Sequence, residues 1–337
     1  MILIRIEAKS SLPPWKKSSL KKLSTNTRSN SPLPPVVCLF GPTAVGKTDL
    51  LEELFSDSGE IISADSMQVY RLLNIGSAKP DPSYLQRMPH HLIDILDYTE
   101  QFNTGDFVRL AEERVLSIHK RGKLPVISGG TAFYFRNFLF GLPRIPPVSG
   151  EIRNALNAEL DEKGPRVLHE RLTRVDPETA ARLMPMDRSR IVRALEVFEG
   201  TGKPLSSFQI SRQPRNDLSC LLLGLERPRK ELYERINERV NLMFERGLYD
   251  EIQFLISQGA REDDPGMKGI GYSEFFPFLR EGCLTLSDVK DRIQQNSRRY
   301  AKRQMTFFRS LPGVSWFNPD RSQEIRERID AFHRSGT

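Results

Sequence analysis

The chain has 337 residues, of which 38% are hydrophobic, so it is long enough for a main domain with an insertion or a second domain. No run of about eighteen apolar residues occurs, which excludes a membrane-spanning helix and predicts a soluble, cytoplasmic protein. The formal net charge of +7 comes almost entirely from residues 1–34, which carry seven basic residues and one acid, so the rest of the chain is nearly neutral.

The first 34 residues are also rich in Ser and Pro. Low hydrophobicity combined with high charge is typical of segments that do not bury a core. We therefore predict a disordered basic extension over 1–34. A Ser-rich, acid-poor targeting segment is the alternative.

A glycine-rich octapeptide between a strand pattern and a helix pattern predicts a phosphate-binding loop. Val36–Phe40 is a short apolar run, and Asp49–Phe55 has the apolar spacing of a helix. Between them stand Gly41, Pro42, Thr43, Ala44, Val45, Gly46, Lys47 and Thr48, which match G-x-x-x-x-G-K-[ST]. Backbone N–H groups and Lys47 would bind a diphosphate or nucleotide, and the Thr48 hydroxyl would ligate Mg²⁺. The loop alone does not say which phosphate compound it binds.

Strand and helix patterns alternate after this loop. The predicted strands are Glu60–Ala64, His91–Ile95 and Leu124–Ser128, and a helix is predicted at Phe107–Lys120. Alternation of this kind predicts an α/β fold, a P-loop NTPase-like parallel sheet flanked by helices. Ligands bind at the carboxyl ends of such strands, so Asp65 and Gly129-Gly130-Thr131 should lie beside the phosphate loop.

The alternation is interrupted by a proline-rich stretch, after which residues 146–207 have only helical patterns. A strand at Leu221–Gly224 then resumes the sheet, and long helices follow at 229–246 and 285–310. We predict an inserted all-helical subdomain at 146–207. The core is assigned to 35–145 and 208–320, and a C-terminal tail helix to 321–337.

Two sequence features that GTPases and ATPases need are absent from this chain. The chain has no Asn-Lys-x-Asp guanine-binding motif, which argues against a GTPase. The strand Leu124–Ile127 is followed by Ser128 where an ATPase would have a carboxylate for Mg²⁺. A small-molecule kinase of the P-loop type remains as an alternative.

A series of further short motifs follows along the chain between about Val36 and Leu311. They are Asp65–Tyr70, Gly76–Pro80, His90–Asp94, Gly129–Thr131 with Tyr134, Asp176-Pro177, Arg190–Val197, Thr201–Ser206, Gly269–Tyr272 and Tyr300–Gln304 with Thr306. With this series the chain closely resembles the bacterial tRNA dimethylallyltransferase (tRNA isopentenyltransferase) family. Ser77, Gly269 and Phe308 replace the usual Thr, Ala and Trp. No Cys₂His₂ zinc finger follows the core, so the resemblance is to the bacterial type.

The resemblance implies a monomeric enzyme that transfers a dimethylallyl group from dimethylallyl diphosphate to N6 of the adenosine 3′-adjacent to a tRNA anticodon. The phosphate loop would then bind the departing diphosphate with Mg²⁺. By the same resemblance, Asp65 is the general base, Thr43 hydrogen-bonds Asp65 and phosphate, and Arg239 binds diphosphate. For Asp65 the alternative is a helix cap or a metal partner, and for Arg239 a solvated helix face. An adenylate isopentenyltransferase, acting on free nucleotides, is the related alternative function.

The resemblance also implies a channel that binds the tRNA anticodon stem-loop. Its residues would be Asp65, Ser66, Met67, Gln68, Thr131, Arg153, Ser189, Arg190, Ile191, Val192, Arg193, Lys268, Gly269, Ile270, Gly271, Tyr272 and Ser273. For the arginines, a charged helical surface is the alternative. Residues 292–319 contain no acid, and the basic side chains there predict an RNA-binding stripe, namely Arg298, Arg299, Lys302 and Arg303.

Three other groups of residues are interpreted as structural. Cys38, Cys220 and Cys283 are isolated, which indicates a reducing compartment and argues against structural zinc. Adjacent His90 and His91 would face opposite sides of a strand, so they cannot bind one metal ion together. The aromatic side chains predicted for the core rather than a prenyl-binding wall are Phe102, Phe107, Phe133 and Phe135.

Overall fold

The structure is a computed structural model, and it describes residues 33–208, 211, 213–282 and 284–335. Most of the predicted basic extension, and Cys283, lie outside the described residues. The described chain contains a six-stranded sheet, ordered β3-β2-β4-β1-β5-β6, in which every pairing is parallel. The strands are β1 Leu33–Phe40, β2 Gly59–Ser63, β3 His90–His91, β4 Leu124–Gly129, β5 Leu218–Leu225 and β6 Ser315–Phe317. The predicted α/β fold with a parallel sheet is confirmed.

Thirteen α-helices are present in the described residues, besides short 3-10 helices at Leu205–Ser207 and Pro265–Lys268. They are α1 Lys47–Phe55, α2 Pro82–Arg87, α3 Thr104–Lys120, α4 Ala132–Phe140, α5 Gly150–Lys163, α6 Pro165–Val175, α7 Pro177–Ala180, α8 Arg188–Thr201, α9 Arg229–Glu245, α10 Leu248–Ser257, α11 Phe275–Glu281, α12 Leu286–Phe308 and α13 Ser322–Ser335. The long helix α12 begins with a capping box, in which Thr285 and Asp288 each accept a backbone hydrogen bond from the other. Among the described residues no helix combines the length and apolar character needed to cross a bilayer.

The central strand β1 places the phosphate loop by packing both of its faces. Val36, Cys38 and Phe40 belong to the core on one side of the sheet, together with helices α3 and α4. Val37 and Leu39 belong to the core on the other side, against α1 and α13. Alternate side chains of a strand point to opposite faces, and burial of both faces explains why β1 reads as an unbroken apolar run. The loop that follows is therefore fixed at the carboxyl edge of the sheet.

The third strand is shorter than predicted and starts one residue earlier. It consists of His90 and His91 alone, because the backbone turns at Leu92 (φ 65°) and Asp94 (φ 55°). The His91 ring lies with Nε2 2.7 Å from Glu60 Oε2, and the His90 Nδ1 lies 2.7 Å from the Met88 carbonyl oxygen. Burial lowers the pKa of both rings. No group of three or more side chains suited to bind a metal occurs in the described residues.

Two further predictions need correction. The edge strand β6 was not predicted, because three residues are too few to show a period. Phe102, Phe107 and Phe135 are buried as expected, whereas Phe133 is 49% exposed, since it occupies the outward face of α4.

The segment between α4 and β5 is helical in the structure. Helices α5 to α8 pack around a hydrophobic cluster of their own, which includes Leu156, Leu168 and Ile191. Helix α8 has Asp187 as its N-cap, through a hydrogen bond that its side chain accepts from the Arg190 amide. The assignment of the chain to separate domains stays a prediction.

Candidate active site

The phosphate loop has the backbone conformation needed to surround an anion. Gly46 has φ 108° and Ala44 φ 62°, so the chain bends through the left-handed region at both residues. A side chain at Gly41 would place its Cβ 2.8 Å from the Leu225 carbonyl oxygen, which only glycine avoids. Helix α1 starts at Lys47 without a side-chain cap. Its first N–H groups are therefore available to an anion.

Lys47 lies beneath this loop. Its Nζ donates to the carbonyl oxygens of Gly41, at 3.0 Å, and Pro42, at 2.9 Å. Burial and the nearby Arg239 lower the pKa of Lys47 to about 7, against the opposing effect of Asp65. The lysine is thus held where its charge responds to a bound anion.

Three arginines surround the outer side of the loop. Arg227 Nε donates to the Val45 carbonyl oxygen and Arg235 Nε to that of Ala44, both at 2.9 Å. Arg239, one turn after Arg235 on α9, donates through Nη1 to Thr43 Oγ1 at 2.8 Å. Arg239 therefore lies against the loop and not on a solvated helix face, and burial lowers its pKa. The structure gives Thr43 this arginine as its side-chain partner, rather than the predicted Asp65.

Gln304 joins the loop to the neighbouring strand end. Its Oε1 accepts from the Thr43 amide at 3.0 Å, and its Nε2 donates to the Gly130 carbonyl oxygen at 2.7 Å. The chain passes so close here that a Cβ at Gly129 would lie 2.2 Å from the Ala64 carbonyl oxygen. Gly129 and Gly130 thus allow the ends of β1, β2 and β4 to approach one another.

Asp65 follows β2 directly and lies in the same site. Its Oδ1 accepts from the amides of Met67, at 2.8 Å, and Gln68, at 3.3 Å. The Ser66 amide donates to Thr131 Oγ1 at 3.1 Å, which holds this turn against the end of β4. Asp65 therefore caps a turn, and no helix begins at this position. The same carboxylate also lies near Lys47 and Arg239, since its negative charge partly offsets the lowering of both pKa values by burial.

Two tyrosines border the carboxylate. Burial raises the pKa of Tyr300 to about 12, and the negative charge of Asp65 adds to the effect. Burial and Asp65 also raise the pKa of Tyr134. Both phenols therefore stay neutral near Asp65.

Most of these groups line one cavity of about 890 Å³, whereas Arg227, Thr131 and Tyr134 do not. Of the residues assigned from sequence, it is lined by Thr43 to Thr48, Asp65 to Gln68, Arg239 and Lys268 to Gly271. Arg303 of the predicted basic stripe also lines it, whereas Lys302 lines a second cavity on the other side of α12. Arg298 donates to Asn237 of α9.

Some predicted tRNA-binding side chains do not reach a surface. Ile191 and Val192 are buried in the helical cluster, so they are unavailable to RNA. Tyr272 is fully buried, and its hydroxyl donates to Glu251 Oε1 at 2.8 Å. Ser273, by contrast, is only half-buried, and its hydroxyl donates to Glu274 beside it. These corrections arise because a contiguous motif contains core positions as well as contact positions.

The remaining predicted RNA contacts lie on α5 and α8. Ser189 and Arg190 are exposed on the first turn of α8. Arg153 of α5 and Arg193 of α8 both pair with Glu196. None of these four lines the cavity.

Sequence reasoning missed Gln304, Arg227 and Glu251 as site residues. Gln304 ends a motif whose helical spacing from Tyr300 places both on one face, which is a signal that was available. Arg227 and Glu251 have no local signal, because their partners lie far away in sequence.

Known proteins resemble this chain over most of its length. Residues 68–311 match the sequence model of the IPP transferase family. A tRNA dimethylallyltransferase of Geobacter sulfurreducens is 45% identical over 283 residues, which cover 83% of this chain and 91% of that protein. One from Bacillus subtilis is 40% identical over 312 residues, covering 91% and 98%.

Solved structures agree with the sequence relatives. The crystal structure of a tRNA isopentenylpyrophosphate transferase from Bacillus halodurans has 38% identity and a TM-score of 0.64, covering 90% of this chain and 97% of that one. A eukaryotic dimethylallyltransferase acting on tRNA has 27% identity and a TM-score of 0.71, covering 87% and 77%. The chain therefore belongs to the IPP transferase family.

Proposed function

We propose that this protein transfers the dimethylallyl group of dimethylallyl diphosphate to N6 of the adenosine 3′-adjacent to the anticodon of certain tRNAs. The products are N6-(dimethylallyl)adenosine and diphosphate. Membership of the IPP transferase family and relatives named tRNA dimethylallyltransferase support a prenyl transferase that acts on tRNA. The observation that carries the proposal is that the phosphate loop and the Asp65 carboxylate line one cavity.

The diphosphate side of the cavity stabilises the leaving group. As the bond between the allylic carbon and the diphosphate oxygen breaks, negative charge grows on that oxygen. Lys47, Arg239 and the amides at the start of α1 are placed to neutralise it. Thr43 holds Arg239 in position through its hydroxyl.

The donor set around Thr48 fits Mg²⁺. The Thr48 side chain is exposed and lines the cavity, and hydroxyl and diphosphate oxygens are the hard ligands that this ion prefers. Mg²⁺ usually keeps several waters and needs few protein ligands, which suits a site without a carboxylate cluster in the described residues. When bound, Mg²⁺ neutralises diphosphate charge.

Asp65 acts as the general base on the amine side. N6 of adenosine forms a bond to the allylic carbon and loses one proton, which the Asp65 carboxylate accepts. Two amides donate to one oxygen of this carboxylate, which lines the cavity and leaves its second oxygen to accept the proton. The neutral Tyr300, which also lines the cavity, helps to exclude water from the allylic centre.

The RNA contacts divide between the cavity and the helical segment. Asp65 to Gln68, Thr131 and Lys268 to Gly271 bind the extruded adenosine and its neighbours. Arg153, Ser189, Arg190 and Arg193 bind the backbone of the anticodon stem-loop. In this assignment 146–207 is the RNA-binding insertion of a catalytic core formed by 35–145 and 208–320. We propose, as the resemblance implies, that the protein acts as a monomer.

The test replaces Asp65, the proposed general base, with a side chain of the same shape that accepts protons poorly. We expect Asp65→Asn to reduce transfer from labelled dimethylallyl diphosphate to an anticodon stem-loop by about 100-fold or more, with RNA binding retained. The exposed Asp57→Asn serves as the control and should transfer normally. Transfer by Asp65→Asn at the wild-type rate would refute the assignment of the base.

The alternative functions have distinct outcomes in the same assay. A kinase would move the label of γ-labelled ATP into a product and would leave prenyl label out of RNA. An adenylate isopentenyltransferase would prenylate free AMP, ADP or ATP in preference to the stem-loop. We expect prenyl label in RNA only.

A further inference from the structure

The helical segment contains a buried carboxylate whose hydrogen bonding is incomplete. The side chain of Glu196, on α8, is 7% exposed. Among the described residues, its Oε2 is the one buried side-chain nitrogen or oxygen without a hydrogen bond. A buried polar atom left in this state costs free energy and calls for an explanation.

Two arginines lie over this carboxylate from different helices. Nη1 of Arg193, one turn earlier on α8, is 3.1 Å from Oε2, and Nη1 of Arg153, on α5, is 4.0 Å from it. Both contacts are ion pairs, and neither has the geometry of a hydrogen bond. Their side chains are 43% and 50% exposed. The negative charge is therefore inside, and the two guanidinium groups are at the surface.

The arrangement is poorly suited to stability alone. Burying a carboxylate is costly, and an apolar residue of similar size often stabilises a fold at least as well. A guanidinium has five N–H donors, more than one carboxylate can accept, and both side chains are about half exposed. The site therefore presents two positive charges at the surface over one buried negative charge.

Arg171 in the same helical segment shows the contrasting case. Its Nη1 donates to Glu159 of α5 and its Nη2 to Glu199 of α8, so two carboxylates use both ends of one guanidinium. Arg171 therefore links α5 to α8 within the helical segment. The Glu196 group has the opposite ratio of charges, which favours an anion from outside.

We propose that Glu196 is a positioning residue that orients Arg153 and Arg193 as a clamp for a backbone phosphate of the substrate RNA. Two guanidinium groups held side by side can each donate to one phosphodiester, with the geometry that arginine favours. The carboxylate itself does not touch RNA. This inference rests on the proposed function, because it names how the helical segment binds the substrate of that reaction.

The main test is Glu196→Gln, which keeps the size of the side chain and removes its charge. We expect KM for an anticodon stem-loop to rise about tenfold, the effect of one misplaced charge-assisted hydrogen bond. The kcat at saturating RNA and KM for dimethylallyl diphosphate should not change. Glu199→Gln, which weakens the link that Arg171 makes between α5 and α8, is the matched control. It should leave KM for RNA unaltered.

The same substitution is repeated in a chain that carries Arg153→Gln and Arg193→Gln. If Glu196 acts through the arginines, it has no further effect on KM there. A KM that is unchanged or lower in Glu196→Gln overturns the proposal, since a lower value would mean that Glu196 merely repels RNA. An equal rise in both backgrounds overturns it as well, because it indicates a general structural role.

Two further measurements cover a folding failure of Glu196→Gln and separate the clamp from the proposed function. Should Glu196→Gln fail to fold, Arg153→Gln and Arg193→Gln alone must each raise KM for RNA, and unchanged values refute the clamp. Wild-type protein that binds the stem-loop but does not prenylate it would refute the proposed function instead. Wild-type prenylation with unaffected arginine variants refutes the clamp only.

Discussion

At the scale of single residues, the charge state of Lys47 depends strongly on its surroundings. Its pKa is lowered from 10.5 to about 7 by burial and by Arg239. Between these values the unfolded chain binds a proton that the folded protein lacks at this site. The contribution of Lys47 to the free energy of unfolding therefore rises with pH from about 7 to 10.5.

A bound diphosphate should reverse this shift, because negative charge favours the ammonium form. We expect wild-type protein at pH 8 to take up a proton when it binds inorganic diphosphate. Calorimetry in two buffers of different ionisation enthalpy measures the uptake as a difference in observed enthalpy. Lys302→Gln, which does not line the cavity, should retain the difference, and Lys47→Arg should lose it. Equal enthalpies for the wild type would contradict the prediction.

At the scale of secondary-structure elements, α12 contacts the phosphate loop through Gln304. We expect Gln304→Ala to lower the free energy of unfolding by about 1–3 kcal/mol, because the Thr43 amide and the Gly130 carbonyl lose their partner. KM for dimethylallyl diphosphate should rise as well. Chemical denaturation and steady-state kinetics measure the two effects.

Gln294→Ala is the control for that experiment. Gln294 lies earlier on α12 and makes only long contacts, at 3.3 and 3.4 Å, with α9. Replacing Gln294 should lower the free energy of unfolding by much less than replacing Gln304 does. It should not affect KM for dimethylallyl diphosphate. Similar losses at both positions would show that α12 acts by packing alone.

Helix α10 supports the wall of the cavity through Glu251. Its carboxylate accepts from the amides of Asn74, Ile75 and Gly76 and from the Tyr272 hydroxyl. The amide of Glu251→Gln has only one acceptor oxygen, so we expect a loss of about 1–3 kcal/mol in thermal or denaturant unfolding. The exposed Glu245→Gln on α9 should be neutral. An equally stable Glu251 variant would mean that this loop is held by other contacts.

At the scale of the whole molecule, the helical segment has a core separate from those of the sheet. The cluster around Leu156, Leu168 and Ile191 shares no member with the clusters on the two faces of the sheet. The ends of the segment also meet, because a Cβ at Gly200 would lie 2.4 Å from the Val148 side chain. A short linker can therefore bridge them.

We expect a variant in which a Gly-Ser linker replaces residues 149–201 to keep a folded sheet and to lose transfer to tRNA. Circular dichroism with thermal unfolding tests the first expectation, and prenyl transfer to an anticodon stem-loop tests the second. A linker of equal length inserted after Gly259, in a turn, controls for the added residues. Normal tRNA transfer by the shortened chain would refute the role assigned to the helices.

The sequence by itself determined the parts of this protein that depend on neighbouring residues. The apolar run before Gly41, the loop through Thr48 and the helix after it follow from local periodicity and glycine conformation. The alternation of strands and helices was sufficient to predict the parallel sheet. It also placed Asp65 and Gly129 at one edge, because all strands of such a sheet end on the same side.

Tertiary structure alone decided which side chains complete the site. Gln304 reaches Thr43 across 261 residues, and Glu251 reaches Ile75 across 176. The same packing buries Ile191 and Tyr272, although each belongs to a motif expected at the RNA surface. Burial and long-range hydrogen bonds depend on how elements pack in space. A motif read along the chain contains only the order of its residues, so it cannot separate those that face the ligand from those that support them.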